Sequence, residues 1–397
     1  MSESASVGPT GPEGRVRRLL FVTHEFPPAH GGAGTVTREW ARAAVELGWG
    51  VEVLAAGETD PADRGEPYPV VRMGHRGRQD RGARRALLRY LRARPPRSGE
   101  RWIVSEPGAL RALLDAPAAD LPPAASRRPV VLLHGSEILR LTSGRRRRDR
   151  LRAFLEGAAL VVVLSAANRK LLAERLPGLP TECRVVPGAA SGVLAAHPRE
   201  ERSPSPAPPD RLTVLTVGRV HPRKGQREVL AALRALPERT RAGVRYHLVG
   251  PAVHPGYARR LRRDIRAADF PVVWSGPLGA AELEEAYRAA DLFVLASQPY
   301  GRSLEGFGLV YLEAGRYGLP VLGTRNGGVA EAIAEGETGL LVPLGDPCAL
   351  AGAIERLLRD PEERTRLGAA GRARARAWTW REAVASALGT PEDPKTD

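Results

Sequence analysis

The stretch Gly218-Arg219-Val220-His221-Pro222-Arg223-Lys224-Gly225 joins an apolar, strand-like run to a helical one. Backbone amides at a helix N-terminus, a guanidinium and an ammonium together can seat a diphosphate. Arg219 and Lys224 are the candidate ligands. The chain's cations are 57 arginines and three lysines, Lys170, Lys224 and Lys395, so a lysine in a motif suggests a compact point charge. The Gly-x-x-x-x-Gly-Lys-Ser/Thr order of a P-loop is missing. Taken alone, such a loop is more often a solvated basic turn.

A second stretch reads Glu305-Gly306-Phe307-Gly308-Leu309-Val310-Tyr311-Leu312-Glu313. The expectation places Glu313 in the first turn of a helix starting near Gly308, with Glu305 in the loop before it. Such a pair can reach different hydroxyls of one extended ligand, because carboxylates accept from vicinal hydroxyls. Gly308 and Leu309, at the helix start, join the candidate donor-binding set. Each glutamate by itself would also suit a helix N-terminus.

Two further features come from the first half. Gly31, Gly32 and Gly34 follow an expected first strand, and a glycine such as Gly32 permits close backbone approach to a ligand; a flexible turn is the plainer reading. The dinucleotide fingerprint Gly-x-Gly-x-x-Gly is not met, which argues against a nicotinamide enzyme. His134 ends another strand in His134-Gly135-Ser136-Glu137, where a structural role is the alternative to a catalytic one.

Together these features closely resemble the retaining glycosyltransferases of the GT-B fold that carry two glutamates separated by seven residues, the group 1 or family 4-like enzymes. The resemblance rests on Gly-Arg-x-x-x-x-Lys-Gly and, about 80 residues later, Glu-Gly-Phe-Gly-Leu-Val-x-Leu-Glu-Ala. It continues through Asn326-Gly327-Gly328-Val329-Ala330-Glu331 and Glu337-Thr338-Gly339-Leu340-Leu341-Val342, covering residues 212 to about 385. It implies that Arg219 and Lys224 hold a donor diphosphate, with Gly32 approaching it, and that Glu313 holds ribose hydroxyls. Glu305 and His134 would face the transferred sugar as catalytic residues. The implied reaction moves a sugar from a UDP- or GDP-linked donor to a hydroxyl acceptor such as a lipid, polysaccharide or small-metabolite precursor, retaining its configuration. No metal cofactor is implied: the chain has no Asp-x-Asp, and cations take the metal's place. The sequence departs from many members at Pro187-Gly188-Ala189-Ala190, where they carry Asn-Gly-Val-Asp.

The elements that must position these residues alternate. Short β-branched runs at 18–23, 51–55, 130–133, 160–164 and 184–186 are interleaved with helical stretches at 35–47 (capped by Thr35), 148–156 and 166–176. After a Pro/Ser-rich break the pattern restarts, with strands at 212–217, 245–249, 272–274, 292–295 and 320–323 and a helix at 226–236. Such alternation argues for parallel sheets. The expected fold is α/β, two Rossmann-like domains facing across a cleft. The expected divisions are a disordered N-terminus 1–14, an acceptor-binding domain 15–197, a linker 198–210, a nucleotide-sugar-binding domain 211–385 and a tail 386–397. Residues 58–101 read as irregular and basic.

Composition narrows the remaining classes. No apolar run approaches the roughly 20 residues needed to cross a bilayer, and residues 1–14 lack a secretory-type apolar segment, so a cytoplasmic protein is expected. Cys183 and Cys348 have no metal-ligand spacing. The net charge is +15, and residues 1–200 carry 32 basic against 21 acidic side chains, a run at Arg145-Arg146-Arg147-Arg148 among them. This pattern suits peripheral contact with an anionic membrane at the inner face, or a solvated surface in an arginine-rich protein. No zinc-finger or RNA-binding pattern accompanies it, so no nucleic-acid partner is expected. The other readings are an epimerase or phosphorylase on the same fold, and a non-catalytic basic binding protein.

Overall fold

The computed structural model describes residues 18–28, 31–74, 81–94, 97, 99–116, 128–191 and 211–392. The expected N-terminus 1–14, the linker 198–210 and residues 393–397 of the tail lie outside them. Among the described residues thirteen parallel strands form two sheets. The first contains β1 (Arg18–Thr23), β2 (Gly50–Ala55), β3 (Val70–Arg72), β4 (Glu100–Val104), β5 (Val130–Leu133), β6 (Leu160–Val163) and β7 (Cys183–Val185), in the order β3-β2-β1-β4-β5-β6-β7. The second contains β8 (Leu212–Val217), β9 (Val244–Val249), β10 (Val272–Trp274), β11 (Leu292–Leu295), β12 (Val321–Thr324) and β13 (Gly339–Val342), in the order β10-β9-β8-β11-β12-β13. The two α/β domains follow the expected class.

Parallel strands covered by helices on both faces must be apolar on both. Along β1, Leu19 and Phe21 enter one core while Leu20 and Val22 enter another on the opposite face. In the second sheet Leu215 and Phe293 face one side and Val214 and Val294 the other. The core built on Leu19 and Phe21 is continuous with that of Leu215 and Phe293 and includes Trp380, Val384 and Leu388 of the helix Trp380–Leu388. This last helix leaves the second domain and packs on helix Gly32–Glu46 of the first. Trp380 Nε1 donates to Ala190 O (3.1 Å) and Trp49 Nε1 to Gly389 O (3.4 Å). The expected boundary at 385 falls inside this helix.

Several local expectations change. The first helix is Gly32–Glu46, with Gly31 at its N-cap, so Thr35 lies within the helix and does not cap it; its Oγ1 donates to Gly31 O (3.3 Å). The helix expected at 148–156 begins three residues earlier and spans Arg145–Glu156. The stretch 58–101 is not irregular throughout: it contains β3, helix Arg81–Ala93 and the start of β4. Frequent arginine hides that helix's apolar face, on which Leu87 and Leu91 are buried.

Candidate active site

In each sheet the strand order reverses beside the first strand, between β1 and β4 and between β8 and β11. Ligands of open parallel sheets sit at such switch points, beyond the carboxyl ends of the strands. Both lie along one cleft of about 630 Å³ between the domains. Gly32, His134, Arg219, Lys224, Glu305, Gly308, Leu309 and Glu313 all line it, so the fold brings the eight expected residues together.

β8 leads into the Gly218–Gly225 loop, which ends in a single 3-10 turn, Pro222–Lys224, ahead of helix Gln226–Arg234. Lys224 Nζ stands 2.8 Å from Glu305 Oε2, and Arg223 Nη1 reaches the same oxygen at 2.9 Å and Leu304 O at 3.0 Å. Burial pushes the Glu305 carboxyl up, but the two cations outweigh it and hold the group at about 2. Burial also lowers the Lys224 ammonium, which Glu305 sustains against Arg223 and Arg219. Arg219 is half-buried on the cleft wall, and its guanidinium has no hydrogen bond or ion pair among the described residues. Arg223 went unnoticed in the sequence, although it adjoins Lys224. The only available signal was a third cation in the same loop.

Glu313 lies in the second turn of helix Leu309–Arg316, not the first, because the helix starts after Gly308. Gly308 holds φ 95°, and a Cβ there would lie 2.7 Å from the Tyr311 ring, so glycine suits this N-cap. Glu313 Oε2 accepts from Tyr287 Oη at 3.0 Å. Burial raises its carboxyl to about 7; the Tyr287 bond opposes the shift and the Glu39 carboxylate adds to it. Leu309 packs towards the divergent Pro187–Ala190 segment, where a Cβ on Gly188 would stand 2.3 Å from its Cδ2.

From the first domain, β5 delivers His134. Its Nε2 lies 2.8 Å from Ser105 O. A carbonyl only accepts, so the Nε2 that faces it carries a proton. Gly32 opens helix Gly32–Glu46, and a Cβ built on it meets nothing within 4 Å. Elsewhere in this glycine loop a Cβ would crowd Glu25 at Gly31 and Gly34, and Glu25 Oε1 accepts from Gly34 N at 3.0 Å.

The domains also bond directly across the cleft. Gly306 O accepts from Ser165 Oγ (2.9 Å) and Asn168 Nδ2 (3.1 Å). The Glu331 carboxylate accepts from the amides of Ala166 (2.6 Å) and Ala167 (3.0 Å), at the start of helix Ala166–Arg175. A Cβ on Gly306 would stand 1.9 Å from His134 O, so the two catalytic candidates' loops meet at van der Waals distance.

Two facing α/β domains with a basic loop and two buried glutamates at the shared switch points define a GT-B glycosyltransferase. Residues 198–374 match the family Glycosyl transferases group 1, and residues 30–190 match Glycosyltransferase Family 4; this chain belongs to that group of enzymes. It is 28% identical over 378 residues to the GDP-mannose-dependent alpha-(1-6)-phosphatidylinositol monomannoside mannosyltransferase of Mycobacterium tuberculosis, covering 91% of this chain and 95% of that one. A D-inositol 3-phosphate glycosyltransferase of Acidothermus cellulolyticus is 39% identical over 197 residues, 47% of this chain and 42% of the other. Among solved structures, sucrose-phosphate synthase from Thermosynechococcus elongatus shares the fold with a TM-score of 0.73 and 24% identity, covering 94% of this chain and 97% of that one. Anabaena HepE in complex with UDP and glucose gives 0.70 and 18%, covering 94% and 98%. The activity is thus nucleotide-sugar-dependent glycosyl transfer. Among the described residues no helix is long and apolar enough to cross a membrane.

Proposed function

We propose that this enzyme transfers a hexosyl group from a nucleoside diphosphate to an acceptor hydroxyl with retention of anomeric configuration, residues 15–197 receiving the acceptor and 211–385 the donor. The observation that carries this reading is the Arg223–Lys224–Glu305 cluster facing His134 across one cleft, with Arg219 free beside it. In this reading Arg219 and Lys224 take the diphosphate, and Gly32 and the amides of Gly308 and Leu309 lie against the donor. Glu305, held ionised, accepts from hydroxyls of the sugar, and His134 Nδ1 accepts from another. Glu313 accepts from the ribose diol, which favours its charged form.

The bond from the anomeric carbon to the diphosphate breaks as the acceptor oxygen bonds that carbon on the same face. The acceptor's proton passes to the departing phosphate oxygen. Charge growing on the leaving diphosphate meets fixed cations in a closed site, where they act strongly. No protein nucleophile and no metal is invoked. Glycosyl transfer at an undiminished rate in EDTA supports metal independence; a rate restored only by a divalent ion refutes it.

GDP-mannose is the first donor to test, because the relative aligned along most of this chain is named for it; UDP-sugars come next. Both named relatives act on inositol phosphates or their lipids, which fits the positive first domain and supports an inositol-phosphate acceptor. Peripheral contact with an anionic leaflet rests on the helix Arg145–Glu156, where the Arg145 side chain is 89% exposed. A cytoplasmic location, with no nucleic-acid partner, accompanies this reading.

Thermal stability against GDP, UDP, ADP and dTDP tests the donor half. A ligand at 100 times its Kd adds about 2.7 kcal/mol. Anomeric NMR of the product then tests retention. Release of sugar phosphate in inorganic phosphate, or isomerisation without an acceptor, would instead favour the phosphorylase or epimerase reading. No stabilisation by any nucleotide would favour a binding protein.

A further inference from the structure

A second cavity, of about 460 Å³, lies at the junction of the domains and shares no lining residue with the donor cleft. Five arginines line it: Arg42 from helix Gly32–Glu46, Arg316 from helix Leu309–Arg316, Arg372 and Arg376 from helix Pro361–Ala377, and Arg381; Arg372 and Arg376 also border a neighbouring cavity of about 470 Å³. Two carboxylates join them, Glu39 and Glu46. Glu39 accepts from Ser191 Oγ at 2.6 Å, and Arg42 is held by Glu66 at 2.8 Å.

The other four cations are weakly engaged. Arg316 and Arg372 each reach one carbonyl, Ser191 O and Tyr317 O, at 3.4 Å. The Nε of Arg372 is buried without a hydrogen-bond partner. Among the described residues Arg376 and Arg381 have neither hydrogen bond nor ion pair. Converging guanidinium groups with unused donors repel one another, and their planar forks match phosphate oxygens. A concave wall built from both domains suits a small soluble molecule better than a flat bilayer surface.

We propose that this cavity is a second ligand site, separate from the donor cleft, that binds a small soluble phosphate-bearing dianion and bridges the two domains. Arg316, Arg372, Arg376 and Arg381 supply its donors. Trp378 and Trp380 line the same cavity and report on it by their fluorescence. The proposal does not depend on the transferase reading, and its test uses no sugar transfer.

Inorganic pyrophosphate is titrated into the full chain, into R219A and into the double variant R376A/R381A, following tryptophan emission. Both mutated arginines of the double variant are exposed, so its melting temperature should match the parent's. The expected result is a saturable response in the parent and in R219A, with affinity at least tenfold weaker in R376A/R381A. Equal titration of the parent and the double variant overturns the proposal. So does a response that disappears in R219A, which would place the pyrophosphate in the donor cleft. Vesicles containing phosphatidylglycerol form the other arm. Sedimentation with them that is lost in R376A/R381A, with no response to pyrophosphate, would assign the site to a lipid headgroup and overturn the soluble ligand.

Discussion

Lys224 Nζ and Glu305 Oε2 lie 2.8 Å apart, although 81 positions separate them in the chain. Each is the other's main counter-charge within a buried site, and removing one member leaves the other uncompensated. Lys224→Ala should lower kcat/KM for transfer at least tenfold. A near-normal rate would remove Lys224 from the chemistry.

Arg223 and Arg219 should separate in their effects. Arg223 bonds both Glu305 and the Leu304 carbonyl, so it sets the loop that carries the sugar-facing carboxylate. Arg223→Gln should lower kcat by tenfold or more and shift nucleotide affinity little. Arg219→Gln, which breaks no internal bond, should weaken binding of the nucleoside diphosphate about tenfold. Calorimetry with the preferred diphosphate and steady-state kinetics give the two quantities.

Glu313 gives a pH dependence of known sign. Its carboxyl is raised to about 7 in the folded protein from an ordinary 4.5. The folded state therefore holds a proton that the unfolded chain loses first, and the contribution to stability falls as pH rises from about 4.5 to 7. Glu313→Gln should be more stable than the parent at pH 8, by on the order of 1–3 kcal/mol, and equal to it near pH 4. It should also bind the nucleoside diphosphate more weakly. Denaturant midpoints at the two pH values decide the first point and titration the second.

Gly306 tests domain approach. A side chain there would meet the His134 carbonyl, so Gly306→Ala should keep the domains apart while each stays folded. Scattering should show a larger radius of gyration, and transfer should fall at least a hundredfold. Full activity would show that the loops need not meet.

Glu331→Ala removes an acceptor that the second domain lends to the amides of Ala166 and Ala167. Loss of such a cap costs about 1 kcal/mol. A lower melting temperature with a higher KM for the donor is the expected pair of changes.

Legibility in the sequence followed the local signal. β1, β5 and β8 were readable to the residue because they are short apolar runs with clear ends. Helix Arg81–Ala93 was not, since its arginines mask the period of Leu87 and Leu91. The cleft residues were named from contiguous motifs together with the family resemblance that those motifs carry. The contact of Lys224 with Glu305 was beyond reach, as it depends on β8 and β11 being neighbours in the sheet. Glu331 was visible only as part of a motif, and its partners at Ala166 lie in another domain.

The return of helix Trp380–Leu388 to the first domain means that the polypeptide passes between the domains twice. That helix lies across the junction as a bolt lies across two leaves of a door. Its packing on helix Gly32–Glu46 resists twisting and sliding of one domain on the other. That mechanical constraint keeps the loops of His134 and Glu305 in the one register in which Gly306 meets the His134 carbonyl. It also makes the segment around Trp378–Trp380 a place where a change in packing is felt by both domains.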